Sequence, residues 1–369
     1  MRLALRELVR RPARFVTATL ILTVIAILLM FLGGLLDGLI RSTTGAVRAQ
    51  DADLIVYSDT SQASFLRSRI DPATRAVVEE VPGVFEVGGI GVVQLGARVP
   101  GNGPRDLANV ALFGYELTPD GVPDPPAPGT AWADEVLRDD GVEEGQTIAL
   151  GPARSPITVA GFVEDTSYLG QGGLWAEPAT WRAVLARNRP DARLGPGVFQ
   201  ALVVRVEGAS PGEVAGAIDA ATGSTETLTV DAAISELPGV EEQQSTFNQI
   251  IGVTVVVALV VIALFFALLT VERTALYGVL KALGARSRTL FLGLVVQAVI
   301  LTAIASAVGA GMVLVIDRLI PPGSIPLYVA PSRLVLSAVL LVLAAIVGCA
   351  FSLRRVLRVD PASALGSSS

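Results

Sequence analysis

Ten residues of one short segment are best placed for recognition chemistry. Glu272, Arg273, Leu276, Tyr277, Gly278, Val279, Leu280, Lys281, Leu283 and Gly284 lie between two long apolar runs. Leu276, Val279, Leu280 and Leu283 are spaced i, i+3, i+4 and i+7, which places them on one face of a helix, and Gly284 can end that helix. Arg273, Tyr277 and Lys281 fall on a different face. Such a helix can rest in a lipid interface with its basic groups near headgroups, or dock into another protein. The pattern alone is consistent with either.

Covalent and metal chemistry have little to work with. The 369 residues include no His and one Cys, Cys349, inside an apolar run. An intrachain disulfide is impossible. Zinc and haem lose their commonest side-chain ligands, and Ser–His and Cys–His nucleophile pairs are excluded. Catalysis would rest on carboxylates alone. No G-x-x-x-x-G-K-[ST] loop occurs, so the chain has no backbone cradle for ATP phosphates. Nothing points to a metal or cofactor held by the chain itself.

The elements that must position the segment are membrane spans. The chain is 51% hydrophobic and 17% charged, with a mean hydropathy of +0.60, which is too apolar for an ordinary soluble protein. Residues 15–36, 250–270, 290–316 and 334–353 are uncharged apolar runs, long enough to cross a bilayer core of about 30 Å as helices. The first run exceeds the core of a signal peptide and has no small-x-small site closely after it, so it is expected to be a retained span. Arg2, Arg6, Arg10, Arg11 and Arg14 precede it. Arg273, Lys281, Arg286 and Arg288 lie between the second and third runs, and Arg354, Arg355 and Arg358 follow the fourth. This bias predicts a multi-pass membrane protein with both termini cytoplasmic. Residues 42–248 hold 29 Asp plus Glu against 13 Arg, a net of −16. Membrane topology accounts for this split without a nucleic-acid partner.

The outer part alternates strand and helix signals. Short β-rich runs at 54–57, 92–99, 110–115, 147–150, 157–163, 200–206 and 227–230 are bounded by Gly, Pro or Asp. Proline or acidic starts at 72, 178, 211 and 231 mark helices. The fold class is therefore four transmembrane α-helices plus an α+β extracytoplasmic domain inserted between spans 1 and 2. The layout is a leader 1–14, a first span 15–40, the outer domain 41–245, and a stalk end with the second span 246–271. A cytoplasmic loop 272–288, a third span 289–317, an outer loop 318–333, a fourth span 334–353 and a tail 354–369 follow. The Gly-rich 168–173 is expected to be a mobile tip beside Trp175 and Trp181, whose ordinary fate is core packing. Residues 240–247 are polar, acidic and free of Gly and Pro, so a helical stalk continuous with the second span is expected. Gly34 and Gly38 form a G-x-x-x-G spacing, making them dimer-interface candidates, although contact within one chain fits equally well.

The Glu272-Arg273 start, Gly278 and the Lys281-Ala282-Leu283-Gly284-Ala285 end resemble the cytoplasmic loop of MacB-like and FtsX-like ABC transporter permeases. The opening Leu3-Ala4-Leu5-Arg6-Glu7-Leu8-Val9-Arg10-Arg11 resembles that family's amphipathic leader, and Arg354-Arg355-Val356-Leu357-Arg358-Val359-Asp360-Pro361-Ala362 its basic tail. The chain differs at Leu276 and Tyr277, where many members of the family carry an acidic residue and Ile, and at Gln297, where an acidic residue is frequent in the third span. The resemblance implies that the ten loop residues couple to a separate ATPase, which holds ATP and Mg. It also implies a second permease chain, a homodimer by expectation, and an accessory membrane-fusion or extracytoplasmic protein. The expected function is export or extraction of an amphipathic drug, peptide, lipid or lipoprotein. The alternative is an FtsX-like mechanotransmitter that regulates a cell-wall hydrolase without translocation.

The orientation has a direct check. A Cys at Ser58 is expected to react with an impermeant maleimide in intact cells, and one at Ser287 only after permeabilisation. The reverse labelling pattern would contradict the charge reading.

Overall fold

The computed structural model describes residues 12–103, 105–272, 287–320 and 325–357. The leader up to residue 11, the loop residues Arg273 to Gly284, residues 321–324 and the tail from residue 358 lie outside the described residues. In chain order the elements are helix α1 (Pro12–Arg48), strand β1 (Leu54–Ser58), α2 (Pro72–Glu79), β2 (Val84–Arg98), β3 (Leu107–Tyr115), β4 (Thr130–Asp134), β5 (Thr147–Leu150), β6 (Ser155–Val163) and β7 (Gly172–Ala176). These are followed by α3 (Pro178–Asn188), β8 (Ala201–Val206), α4 (Pro211–Thr222), β9 (Thr225–Thr229), α5 (Val230–Ser235), α6 (Val240–Glu272), α7 (Ser287–Leu319) and α8 (Pro331–Leu357). The chain forms two compact units, Met1–Gly38 with Gln244–Ser369, and Leu39–Gln243.

Among the described residues, four helices are long and apolar enough to cross a membrane, and they make up most of the first unit. Leu22 of α1, Ile262 and Phe266 of α6, Leu294, Ala298 and Leu301 of α7, and Ala345 and Cys349 of α8 form one buried cluster. A second joins Ile25, Ala26 and Leu29 of α1 to Ala258 and Leu341. Small residues set the crossings, because without a Cβ two helix backbones can approach closely. A Cβ at Gly309 would lie 3.0 Å from the Ala26 Cβ, and one at Gly348 3.0 Å from the Leu259 carbonyl oxygen. Apolar side chains such as Val253, Leu264 and Val335 face outward, each more than 60% exposed. Lipid is the solvent such faces need.

Two helices run past their apolar stretches. The hydroxyls of Thr43 and Thr44 donate to the carbonyls of Leu39 and Ile40 at 2.9 and 2.8 Å. The polar residues after the bilayer stretch thus stay within the helix, and α1 continues to Arg48 rather than ending near residue 40. Helix α6 begins at Val240, directly after Pro238 and Gly239, the latter at φ +83°. The acidic 240–247 stretch is helical and continuous with the apolar run that follows.

In the second unit β2 is the organising strand. Its second half pairs with β3 and, at its end, with β5, while its first half pairs with β8. Pairings β3–β7, β7–β4, β4–β6 and β6–β5 close six of the described strands into a ring. The remaining order β2–β8–β1–β9 is an antiparallel sheet. Period-two alternation divides the apolar residues. Val93, Leu95 and Ala97 of β2 join Val110 and Leu112 of β3 in one core. Ala111, Phe113 and Tyr115 point the other way, with Trp175, Ile55 and Val203. Helices α2 and α4 cover the far face of the sheet through Val78, Val214 and Ile218. Local chemistry fixes their starts: Asp71 accepts from Thr74 N–H at 2.7 Å and Ser210 from Glu213 N–H at 3.4 Å, each cap followed by Pro.

Both tryptophans near the Gly-rich segment are fully buried. Gly91 and Gly114 are cross-strand partners, and a Cβ on either would collide with Trp181. The two glycines make a flat seat for the indole, which stacks on Phe199 at 6.1 Å. Trp175 stacks on Phe113 at 4.5 Å.

Candidate functional site

Glu272 is the last residue of α6, and α7 starts at Ser287. The expected coupling residues Arg273, Leu276, Tyr277, Gly278, Val279, Leu280, Lys281, Leu283 and Gly284 fall between them, outside the described residues. Gly34 and Gly38 are described, and both are packed within the chain. The Gly34 carbonyl accepts from Tyr328 N–H at 3.0 Å, and a Cβ on Gly38 would lie 2.9 Å from Tyr328 N.

The structure brings together a site that periodicity did not single out. It joins the last turns of α1, from Leu39 onward, to the segment 164–171 that follows β6, all within the second unit. Arg41, Gly45 and Arg48 are spaced i, i+4 and i+7 and so share one helix face. Gly45 is the seat. A Cβ there would lie 2.7 Å from the Asp165 carbonyl oxygen and 2.9 Å from Ser167 N, so a larger residue would displace the segment. Backbone bonds then tie segment and helix. Ala46 N–H donates to Ser167 O at 2.9 Å, Leu169 N–H to Thr43 O at 3.0 Å, and Gly170 N–H to Ser42 O at 3.0 Å. Ser42 O and Ala46 N, which would pair with each other in an ideal helix, are both engaged by the segment. The Gly-rich residues expected to form a mobile tip are therefore docked.

Electrostatics reinforce the seat. The Asp165 carboxylate accepts from Arg41 Nε at 3.1 and 3.2 Å, from Arg41 Nη2, and from Arg48 Nη2. All three side chains are about one-third exposed. One carboxylate shared by two guanidiniums is charge-assisted on both sides. Both guanidiniums lie toward the C-terminal end of α1, where the helix dipole favours a cation.

A second carboxylate shapes the segment from beneath. Asp134, 3% exposed, accepts from Val136 N–H at 3.0 Å, Thr166 N–H at 2.8 Å, Thr166 Oγ1 at 2.9 Å and Ser167 Oγ at 3.1 Å. Burial pushes its carboxyl above the usual carboxylate range, against the downward pull of these bonds. Among the described residues no group of three or more His, Cys, Asp or Glu is placed to hold a metal. The arrangement is a docking contact between a helix and a segment, built from backbone hydrogen bonds, one glycine and two carboxylates.

Sequence reasoning recorded Arg41 only as a charge on the outer side and did not single out Gly45, Arg48, Asp134 or Asp165. The available signal was the Arg41, Gly45, Arg48 spacing just beyond an apolar run.

Two expectations follow. Gly45→Leu is expected to expel the segment and lower stability by about 1–3 kcal/mol, the usual cost of overpacking, measured as denaturant unfolding of the full chain in detergent. For Asp134 the sign is fixed by burial. A carboxyl raised in the folded state binds its proton more tightly there than in the unfolded chain, so ionisation costs stability and acidification through the carboxylate range restores it. The unfolding midpoint of the native chain, measured relative to Asp134→Asn, is expected to rise as pH falls. A relative fall would mean that the four hydrogen bonds outweigh burial.

Comparison with known proteins places this architecture. Residues 248–361 match the family model described as FtsX-like permease C-terminal. A protein of Staphylococcus epidermidis, provisionally named hemin transport system permease protein HrtB, is 24% identical over 141 residues, 38% of this chain and 40% of that relative's length. A protein of the same provisional name from Staphylococcus haemolyticus is 19% identical over 372 residues, covering 99% of each chain. Among solved structures, the periplasmic region of MacB from Actinobacillus actinomycetemcomitans aligns with 50% of this chain and 91% of its own, at 11% identity and a TM-score of 0.34. The extracellular domain of the noncanonic ABC-type transporter YknZ from Gram-positive bacteria aligns with 48% of this chain and 99% of its own, at 16% identity and a TM-score of 0.31. The C-terminal match and the four apolar helices agree with the resemblance carried by the loop, leader and tail. Residues 248–361 are thus similar to the C-terminal region of FtsX-like permeases, the whole chain is similar in sequence to a permease protein of a transport system, and its four apolar helices mark a multi-pass membrane protein.

Proposed function

We propose that the chain is the membrane-spanning subunit of an exporter or extractor of amphipathic compounds, driven by a separate ATPase. The ATPase grips the loop from Glu272 to Gly284 on the cytoplasmic side, and the spans pass its motion to the outer domain. The observation that carries this reading is the length of α1 and α6. Each is one unbroken helix from an apolar stretch to residues buried in the outer-domain core, Ala46 and Val47 in one and Val240 in the other. A rigid helix passes on displacement that a flexible linker would absorb. A second chain completes the permease, both termini face the cytoplasm, and an accessory protein meets the outer domain.

The spans hold no Asp, Glu, Lys or Arg within their apolar runs, whereas polar routes through a bilayer need such groups. The substrate is therefore taken up by the outer domain or from the membrane and is at least partly apolar. Hemin, named for the Staphylococcus relatives, is the first compound to test. With no His in the chain, its recognition would rest on the ring face and propionates. The same lack of intramembrane charge favours the second reading, an FtsX-like regulator of a cell-wall hydrolase that moves nothing.

The test uses the chain reconstituted with its ATPase. Leu280→Glu and Gly278→Trp, placed on the loop, are expected to reduce stimulated ATP hydrolysis to the level of the free ATPase while the chain still folds. Retained stimulation in both variants would remove the loop from the contact. ATP-dependent hemin clearance from the membrane would support export. Stimulated hydrolysis without clearance of any amphipathic compound, accompanied by a change in wall hydrolysis, would favour the regulator.

A further inference from the structure

The segment 325–330, between α7 and α8, lies along the small-residue face of α1. Tyr328 N–H donates to the Gly34 carbonyl at 3.0 Å, an extra bond on an oxygen that also faces its own helix ladder. A Cβ on Gly34 would lie 3.1 Å from Leu327 Cδ1, and one on Gly38 would fall on the Pro326 carbonyl. Pro326 and Pro331 fix the backbone at either end of the segment. Directly after it, Arg333 crosses to α1. Its Nε donates to Asp37 Oδ2 at 2.9 Å and its Nη2 to Asp37 Oδ1. The pair is 25% and 18% exposed, and the Arg333 stem lies over Gly33, where a Cβ would be 2.9 Å from Cδ. Three glycines, one backbone bond and one bidentate ion pair thus serve a single contact between distant parts of the chain.

We propose that 325–330 is a strap, pinned by Asp37 and Arg333, that holds the outer third of α1 to the start of α8 as one body until the ion pair opens. Asp37 and Arg333 are its positioning residues. The strap also covers the face that Gly34 and Gly38 would offer to another helix, so α1 cannot use that face for helix packing while the strap is closed. Arg333 is well suited to the task because its planar fork engages both carboxylate oxygens, which a Lys could not do. A half-buried charge left without its partner is costly, so the pin is predicted to be closed or fully open, with little between. That strap release is a step of an ATP-driven cycle rests on the function proposed above; the strap itself does not.

The test is the labelling rate of Leu327→Cys with an impermeant maleimide, in the full chain. Asp37→Asn, Arg333→Gln and the double variant are each expected to raise the rate about tenfold, with the double variant the best folded because it leaves no lone charge. An unchanged rate in the double variant overturns the strap. So does an acceleration equalled at a control cysteine replacing Leu107, an exposed outer-domain position. Arg333→Lys is expected to label nearly as fast as Arg333→Gln; a rate equal to the native one would overturn the bidentate pin. Adding the ATPase and ATP separates the two readings. Faster labelling during hydrolysis supports release as a step of the cycle, and an unaltered rate overturns that step while leaving the pinned strap intact.

Discussion

One carboxylate, Asp165, holds two guanidiniums that share a helix face, and through them it fixes the last turns of the first span to the outer domain's 164–171 segment. Surface ion pairs taken singly contribute little. This pair works with three backbone hydrogen bonds and a glycine that admits the segment's backbone. Removing any one element weakens the others, because the glycine sets the approach that the bonds and charges require. Beneath it Asp134 spends its four acceptor bonds on keeping the segment in the shape that fits.

The same helix carries a consistent pattern along its length. Gly34, Gly38, Arg41, Gly45 and Arg48 recur at steps of four and three, so a single stripe of α1 alternates close backbone approach with charge. Below residue 39, Gly34 and Gly38 receive the 325–330 segment, and their neighbours Gly33 and Asp37 receive Arg333. Above it the stripe receives 164–171. A helix that only needed to cross a bilayer would have no use for such a stripe. The pattern suits a helix whose position is read by other parts of the chain.

Much of the fold was legible because its signals are local. Uncharged runs of about 20 residues, flanking Arg and the proline starts of helices depend on nearest neighbours in sequence. The failures have a physical pattern. Strand β2 was read from residue 92 but begins at Val84, because Gly88, Gly89 and Gly91 look like punctuation. In the sheet they are flat seats for Leu117, Phe199 and Trp181. Gly172 and Gly173 likewise suggested a mobile tip, yet they begin β7 and are pressed by Leu137 and the Thr166 carbonyl. The docking contact was invisible because Arg41 and Arg48 lie 124 and 117 positions from Asp165. No one-dimensional period links them.

The central proposal is that α1 delivers cytoplasmic work to the outer domain through the Gly45 and Asp165 seat. Its most direct measurement is a pulsed-EPR distance between spin labels at Leu66 in the outer domain and Ser332 at the start of α8, in the complex with the ATPase. The account predicts a distance distribution that shifts during ATP hydrolysis and a shift that disappears in Gly45→Leu while hydrolysis continues. A distribution that stays fixed during hydrolysis, or a shift that survives in Gly45→Leu, would contradict it.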